Sequence, residues 1–441
     1  MTTDGRRGRR LTATVTDLEV ARQKALLVSV DTDRSGIGDA DRSMDELRLL
    51  TDTAGSTPVA TLMLKRRQPD PATFVGSGQA EDLADDVRRL DVDVVVFDNS
   101  LTPGQQRNLQ ELFECDVVDR VAVILDIFAQ HATSREGMLQ VELALLRYHL
   151  PRLRGKGTEL SRLGGGIGTR GPGETKLETD RRRIMRRISY VDRRLAEVHK
   201  ARQGQRKSRT AAAVPLASLV GYTNAGKSTL MNALTGAGVL TEDRLFSTLD
   251  STTRRYKLPN GRFLLLSDTV GFVRRLPHQL VEAFRSTLQE TVEADLLVHV
   301  VDASEPCASE RIAAVREVLQ SIGAGRIPEV VVLNKADLAE PVTFARLQRL
   351  YPAAVAVSST EGTGLGRLSD RLSEQLAEGS LQVELLVPYT SGDVVGRLRR
   401  EGEVLTEQHR ADGTLINVRL RQEQASRYRK FQVSPQASGP E

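Results

Sequence analysis

The chain has 441 residues, 39% of them hydrophobic and 27% charged, which allows roughly two to four domains and excludes a fibrous or wholly disordered protein. Its two cysteines exclude a disulfide scaffold. No apolar run approaches the roughly 18–20 residues that span a bilayer, so no membrane span is predicted. We expect a cytoplasmic protein, and peripheral association with a membrane stays open.

Residues 1–18 are a basic tail, and residues 19–130 alternate between strand and helix patterns. The predicted strands are residues 25–30, 59–64, 92–97 and 121–127, and the predicted helices include residues 43–50 and 79–90. A further helix begins at Thr102, with Pro103 in the first turn and Gln105 completing a capping box. This alternation predicts an α/β domain with a mainly parallel sheet.

The pattern of residues 131–209 predicts a long helical hairpin. Thr133 and Glu136 have the spacing of a capping box at the start of its first helix. Apolar residues recur at helical spacing at positions 139, 143, 146 and 150, and again at 177, 184, 188, 191, 195 and 198. Between these stripes, residues 155–173 contain eight glycines, which predicts an extended, flexible tip.

Positive charge is concentrated in this hairpin. The whole chain carries a net +4, but residues 147–209 hold 19 Lys or Arg against six Asp or Glu. Because like charges repel, such a concentration favours a polyanionic partner. The alternative is a solvated basic helix face. The pattern predicts binding to a nucleic acid phosphate backbone.

A strand at residues 214–220 leads into a glycine-bearing loop and then a helix. The loop reads Gly221, Tyr222, Thr223, Asn224, Ala225, Gly226, Lys227 and Ser228. This order is typical of a phosphate-binding P-loop, whose backbone N–H groups surround phosphates. Lys227 is predicted to reach the β- and γ-phosphates, and the Ser228 hydroxyl to ligate Mg²⁺.

Three later motifs follow strands in the order that a guanine nucleotide site needs. They are Asp268, Thr269, Val270 and Gly271; Asn334, Lys335, Ala336 and Asp337; and Ser358, Ser359 and Thr360. Asp268 suits an outer contact to Mg²⁺, and the Gly271 N–H suits the γ-phosphate. Asp337 can accept hydrogen bonds from guanine N1–H and the 2-amino group, a donor pair that adenine lacks. We therefore expect the site to prefer GTP over ATP by a factor of roughly 10⁴.

A nucleotide switch needs a Thr that binds Mg²⁺ only while the γ-phosphate is present. The segment before Asp268 contains Phe246, Ser247, Thr248, Leu249 and Asp250, followed by further threonines. Thr248, Thr252 and Thr253 are all candidates, and the residues alone do not choose among them. The order of these motifs therefore predicts a Ras-like P-loop G domain at residues 210–380.

The last segment, residues 381–441, predicts a small α+β domain. Strand patterns at residues 403–408 and 414–420 flank Asp412 and Gly413, and Asp-Gly between two strands is typical of a β-hairpin turn.

Segments outside the nucleotide motifs resemble the HflX family of ribosome-associated GTPases over roughly residues 20–380. They read N-S-L-T-P-G-Q-Q-R-N-L at 99–109, L-D-I-F-A-Q at 125–130, R-E-G at 135–137, Q-V-E-L at 140–143, G-G-G-I-G-T-R-G-P-G-E at 164–174 and E-T-D-R-R at 178–182. The resemblance implies an N-terminal α/β domain with the hairpin, a G domain and a C-terminal domain. It implies binding to the large ribosomal subunit and its rRNA, with the tip towards the peptidyl-transferase region, and splitting of stalled or idle 70S ribosomes. It favours Thr248 as the Mg²⁺ ligand.

Ras-type enzymes orient the attacking water with a Gln, and Phe272 occupies that position here. We therefore expect slow intrinsic GTP hydrolysis that ribosomes stimulate, with Asn224, Thr248 and Gly271 as candidate contributors. Asn224 resembles a residue that holds K⁺ in relatives without the Gln, so K⁺ is a second candidate cation beside Mg²⁺.

Rival functions are a GTPase acting on RNA outside the ribosome, an RNA-stimulated ATPase and a binding module with an inactive nucleotide site. Asp337 disfavours the ATPase, and the presence of Lys227, Ser228 and Asp268 disfavours the inactive site. We expect a monomer whose nucleotides are GTP and GDP.

Overall fold

A computed structural model of the protein describes residues 22–32, 39–153, 172–211, 214–236, 246, 252–273, 285–377 and 380–433. The chain divides into two units. The first contains the described residues up to Leu195 together with Phe246, and the second contains the rest.

The first unit begins with an α/β segment. Its elements are β1 (Gln23–Asp31), α1 (Asp39–Thr53), β2 (Ser56–Lys65), α2 (Ser77–Leu90), β3 (Val94–Phe97), α3 (Pro103–Phe113), β4 (Asp116–Asp119) and α4 (Arg120–His131). The sheet has the order β2-β1-β3-β4, and every pairing is parallel. The predicted α/β class with a parallel sheet is therefore confirmed.

Strand β1 is buried on both faces, which explains its continuous apolar sequence. Leu26, Val28 and Val30 lie on one face, in a core with Leu83 of α2 and Leu109 of α3. The predicted capped start of α3 is confirmed, because the Thr102 side chain accepts a hydrogen bond from the Gln105 N–H and Gln105 bonds back to the Thr102 N–H.

The strand predicted at residues 121–127 is wrong, since these residues belong to helix α4. The strand of this region is the short β4 just before them. The Asp119 side chain accepts a hydrogen bond from the Ala122 N–H, which starts the helix. Six apolar side chains between Val121 and Phe128 are buried. A helix buried around most of its circumference loses its period in the sequence and resembles an interior strand.

The hairpin region contains helix α5 (Arg135–His149), a 3₁₀ turn (Leu150–Leu153) and helix α6 (Pro172–Ala211). The predicted cap at Thr133 is wrong by one residue, because Ser134 precedes α5 and accepts the Gly137 N–H. Leu143 of α5 packs with Val191 and Leu195 of α6, as the apolar stripes predicted. Most of the glycine-rich tip, residues 155–171, lies outside the described residues.

The second unit contains a larger sheet and a small C-terminal one. Its elements are β5 (Leu216–Gly221), α7 (Lys227–Thr235), β6 (Thr252–Lys257), β7 (Phe263–Asp268), α8 (Arg285–Val292), β8 (Leu296–Asp302), α9 (Ala308–Ser321), β9 (Glu329–Asn334), α10 (Pro341–Leu350), β10 (Val355–Ala356), α11 (Leu365–Ala377), β11 (Ser380–Val387), α12 (Gly392–Glu401), β12 (Glu403–Arg410), β13 (Gly413–Arg421) and α13 (Gln422–Arg427).

The larger sheet has the order β10-β9-β8-β5-β7-β6. Only β6 is antiparallel to its neighbour among these described strands. The carboxyl ends of β5, β7, β8 and β9 therefore meet at one edge, where ligands bind in open α/β sheets. The small sheet is antiparallel, in the order β11-β13-β12, and the predicted hairpin at Gly413 is confirmed. The Ras-like G domain and the C-terminal α+β fold are as predicted.

Candidate nucleotide site

The P-loop connects the end of β5 to the start of α7. Gly226 has a backbone φ of 86°, a conformation that residues with a side chain rarely adopt. A Cβ at Gly226 would also lie 2.3 Å from the side-chain nitrogen of Asn334. Glycine is therefore needed here both for the backbone conformation and for the close approach of the Asn334 side chain.

Lys227 is buried beneath this loop. Its ammonium group donates hydrogen bonds to the carbonyl oxygens of Gly221, at 3.2 Å, and Tyr222, at 2.9 Å. Burial lowers the pKa of Lys227 to about 8, and the nearby Asp268 carboxylate opposes this change. The carbonyl oxygens of the loop therefore surround the Lys227 ammonium group, and phosphate oxygens could take their place as its hydrogen-bond acceptors.

A hydroxyl and a carboxylate come together beside the loop. The Ser228 hydroxyl donates to Asp268 at 2.5 Å, and Asp268 is fully buried at the end of β7. Hard oxygen ligands of this kind suit Mg²⁺. Ser228 and Asp268 are therefore residues that could hold a Mg²⁺ ion beside the P-loop.

The segment after Asp268 pairs with the P-loop. The Thr223 N–H donates to the Phe272 carbonyl at 2.8 Å, and the Phe272 N–H donates to the Gly221 carbonyl at 3.1 Å. A Cβ at Gly271 would lie 2.8 Å from the Thr223 side chain, so this backbone lies directly against the loop. The predicted pair of motifs is brought together in space.

Buried side chains anchor the same segment. The Thr269 hydroxyl donates to the Leu219 carbonyl at 2.6 Å, and Val270 is also buried. Phe272 is only 1% exposed, so its ring belongs to the core. At the position where Ras-type enzymes have a water-orienting Gln, this chain has a structural residue.

Asn334 joins three motifs through one side-chain amide. Its nitrogen donates to the Ala225 carbonyl of the P-loop at 2.9 Å. Its oxygen accepts hydrogen bonds from the Ser359 N–H, at 3.1 Å, and the Ser359 hydroxyl, at 2.7 Å. The predicted base motif, closing motif and P-loop are therefore connected by a buried residue.

Asp337 lies three residues beyond Asn334 and is exposed. Among the described residues its carboxylate has no hydrogen bond or ion pair, so it is available to a ligand. Ala336 is held by a backbone bond to the Val357 carbonyl at 3.1 Å. Ser358 is buried and bonds Thr360 through their hydroxyl groups at 3.2 Å.

The structure also contains a contact that the sequence patterns did not indicate. The Lys335 ammonium group lies 2.7 Å from the carboxylate of Asp302, which ends β8. An apolar strand that terminates in Asp, beside the strand leading to Asn334, is the signal that could have found it.

The remaining predicted residues are placed differently. Asn224 is exposed, with a φ of 60°, a conformation that Asn tolerates. Phe246 lies in the first unit, 2% exposed, with its ring centroid 4.6 Å from that of Phe128 in α4. Ser247, Thr248, Leu249 and Asp250 lie outside the described residues.

A P-loop, a Ser–Asp pair suited to Mg²⁺ and an Asn-Lys-Ala-Asp motif thus share one sheet edge in the second unit. Their arrangement defines the class of P-loop GTPases, which bind and hydrolyse GTP.

Comparison with known proteins narrows this class. Family models match residues 41–129 (GTP-binding GTPase N-terminal), 131–209 (GTP-binding GTPase Middle Region) and 217–335 (50S ribosome-binding GTPase). The GTPase HflX of Caldanaerobacter subterraneus subsp. tengcongensis is 44% identical, over 94% of this chain and 96% of its own. The Escherichia coli GTPase HflX is 44% identical, over 86% of this chain and 91% of its own. The chain belongs to the HflX family of GTPases.

Among solved structures, a GTP-binding protein from Sulfolobus solfataricus in complex with GDP is 24% identical. The match covers 81% of this chain and 99% of that one, with a TM-score of 0.41. In the part of the chain that the structure describes, no helix is both long and apolar enough to cross a membrane.

Proposed function

We propose that this GTPase binds the large ribosomal subunit and its rRNA through helix α6 and splits stalled or idle 70S ribosomes. The observation that carries the proposal is a set of three exposed arginines on α6, Arg181, Arg183 and Arg186, which have no carboxylate partner among the described residues. The description of the matching family, 50S ribosome-binding GTPase, supports the same partner.

Helix α6 keeps one side for packing. Val191 and Leu195 are buried against α5, and Ile188 is partly buried there. The arginines before this seam are exposed. The apolar contacts therefore fix the helix while its charged side chains face solvent.

Some of these arginines are already paired. Arg182 bonds Glu178, and Arg187 bonds Glu142 of α5. Within the described residues, Arg181, Arg183 and Arg186 have no carboxylate partner. We call these three residues the α6 arginine cluster, and three unpaired guanidinium groups within six positions suit a phosphate backbone.

The nucleotide site supplies the switch in this proposal. Lys227 binds the β- and γ-phosphates, Ser228 and Thr248 ligate Mg²⁺, and Asp337 reads guanine. Because Phe272 is buried and apolar, hydrolysis is slow until the ribosome orders the switch segments or supplies a polar group. Asn224 holds a K⁺ ion, so replacing K⁺ with Na⁺ slows turnover.

The binding test compares two triple variants that remove the same charge. Replacing the α6 arginine cluster by alanine should weaken cosedimentation with large subunits and make the logarithmic salt slope shallower by about two to three. Replacing Arg88, Arg89 and Arg107, which are exposed in the N-terminal segment, should leave binding unchanged. Equal loss in both variants would refute an α6 interface.

The functional test follows subunit separation and GTP hydrolysis together. Purified protein with GTP should convert 70S ribosomes to subunits in a sucrose gradient, and large subunits should raise its GTPase rate. Subunit binding without separation would leave a ribosome-associated GTPase of another role. Preference for assembly precursors would indicate an assembly factor instead.

A further inference from the structure

Asp302 lies where two parallel strands end side by side. Strands β8 and β9 pair so that Asp302 is opposite Asn334, the first residue of the base motif. The Ala303 N–H donates to the Asn334 carbonyl at 2.8 Å, so the chain after Asp302 is tied to the base motif. The next residue of that motif, Lys335, forms the ion pair with Asp302.

Both oxygens of the Asp302 carboxylate have defined partners. Oδ1 accepts the Ser304 N–H at 3.0 Å and the Ser304 hydroxyl at 2.5 Å. Oδ2 lies 2.7 Å from the Lys335 ammonium. The Asp302 side chain is only 7% exposed, so the carboxylate is held in one orientation and can fix the lysine in turn.

Lys335 needs such an anchor. Its backbone φ is 57°, in the left-handed region that residues with a side chain seldom occupy. The ammonium group is free of other partners among the described residues, so the ion pair with Asp302 determines where the aliphatic stem lies.

The ion pair between Asp302 and Lys335 is not explained by its contribution to folding stability. The Lys335 side chain is 26% exposed, and an ion pair with a partly solvated partner contributes little to folding. An uncharged side chain at position 302 would avoid burying a carboxylate at all. The pair is therefore better explained by what it positions, two residues before Asp337.

We propose that Asp302 is a positioning residue for guanine nucleotide binding, which holds Lys335 as a fixed wall beside the base read by Asp337. This inference rests on the proposed role of the Asn334–Asp337 motif. Both oxygens of Asp302 are already engaged by Ser304 and Lys335, so in this proposal Asp302 sets affinity for every nucleotide that uses the pocket and leaves the choice of base to Asp337.

The test uses Asp302→Asn, which keeps an oxygen for Ser304 and removes both the charge and the acceptor oxygen that face Lys335. Affinities for GTP, ITP and XTP should fall by the same factor, roughly tenfold, as expected for one lost charge-assisted contact. The loss should appear in KM rather than kcat, because the base is bound equally before and during hydrolysis. Unchanged affinities would overturn the proposal.

A double-mutant cycle separates positioning from a general structural effect. Lys335→Met should weaken binding about as much as Asp302→Asn, and the double variant should be no weaker than either single one. Additive losses would overturn the proposal. If Asp302→Asn fails to fold, normal GTP affinity in Lys335→Met overturns it alone.

The proposed base site has its own readout in this experiment. Asp337→Asn should change the preference from GTP to XTP, and failure of that switch counts against the guanine site. If Asp337→Asn changes the preference to XTP but Asp302 and Lys335 show no coupling, only the proposed role of Asp302 is refuted.

Discussion

In both larger sheets, strands lead into buried carboxylates, and the two sheets use these carboxylates differently. In the first unit, Asp98 and Asp119 are enclosed by Arg120 and Arg152 of neighbouring elements. In the second unit, Asp268 bonds the Ser228 hydroxyl beside the P-loop. A strand-end carboxylate becomes part of a binding site when its partner lies in a loop that can receive a ligand.

In the first unit, the ion-pair network around Asp119 and Arg120 is made by groups of the fold itself. Asp119 accepts hydrogen bonds from the Tyr148 hydroxyl, the Leu101 N–H and Arg152. Arg120 also pairs with Glu46 of α1. These contacts hold helices against the sheet, so the charges of the first unit serve the fold, whereas the proposed function assigns the charges of the second unit to a nucleotide.

The largest expected effect lies in the second unit, at Asp337→Asn. GTP affinity should fall by roughly 10³–10⁴, because the amide cannot accept both guanine donors. XTP should gain affinity, since xanthine presents a carbonyl where guanine has its amino group. Competition of XTP and GTP against a fluorescent GDP analogue measures this. Asp370→Asn, an exposed carboxylate on α11, should keep the GTP preference.

The next effect lies in the first unit, at Arg120→Met. Removing this cation leaves the buried Asp98 and the partly buried Glu46 without their partner, which should lower the free energy of unfolding by about 3–5 kcal/mol. GTP affinity should not change. Urea unfolding followed by circular dichroism measures the loss, and a cost below about 1 kcal/mol would show that the network is not essential to the fold.

A smaller effect concerns pH and Lys227. Without nucleotide its pKa is lowered to about 8 by burial, and bound phosphates favour the charged form. Above pH 8 the free protein loses this proton and must regain it on binding. Affinity should therefore fall by roughly fivefold between pH 8 and pH 9, measured with a fluorescent GDP analogue.

The control for this pH dependence is Lys227→Arg, whose guanidinium stays charged. Its affinity should be weaker but flat across the same range. A flat profile in the unmodified protein would mean that the ammonium group does not accompany the phosphates.

The smallest effect is expected at Arg88→Ala. Arg88 and Asp85 are only 2.6 Å apart, but their side chains are 64% and 78% exposed. Water and salt screen such a pair, so the unfolding free energy should change by less than about 0.5 kcal/mol. Measured beside Arg120→Met, this variant tests whether burial, rather than contact distance, decides the value of an ion pair.

The nucleotide motifs were predictable because each residue type there meets a chemical demand that does not depend on distant packing. Gly226 and Lys227 follow from phosphate geometry, and Asp337 follows from the donors of guanine. The α/β order was readable for the same local reason, since Thr102 and Pro103 mark a helix start on their own.

Two of the three differences from the sequence analysis arise from tertiary structure, and the third is a local ambiguity. Residues 121–127 have no polar face because α4 is enclosed, so helix and strand cannot be told apart by period. The Asp302–Lys335 pair depends on the pairing of β8 with β9, which no local motif encodes. The cap at Ser134 instead of Thr133 is a choice between two adjacent hydroxyl residues.

The amide of Asn334 has an evolutionary consequence. Because it bonds the phosphate loop and the base-closing loop at once, a substitution that reshapes one loop displaces the other. Changes of base preference should therefore be epistatic with changes in the P-loop. A lineage moving to another nucleobase would need compensating replacements in both loops, which restricts the mutational routes open to this pocket.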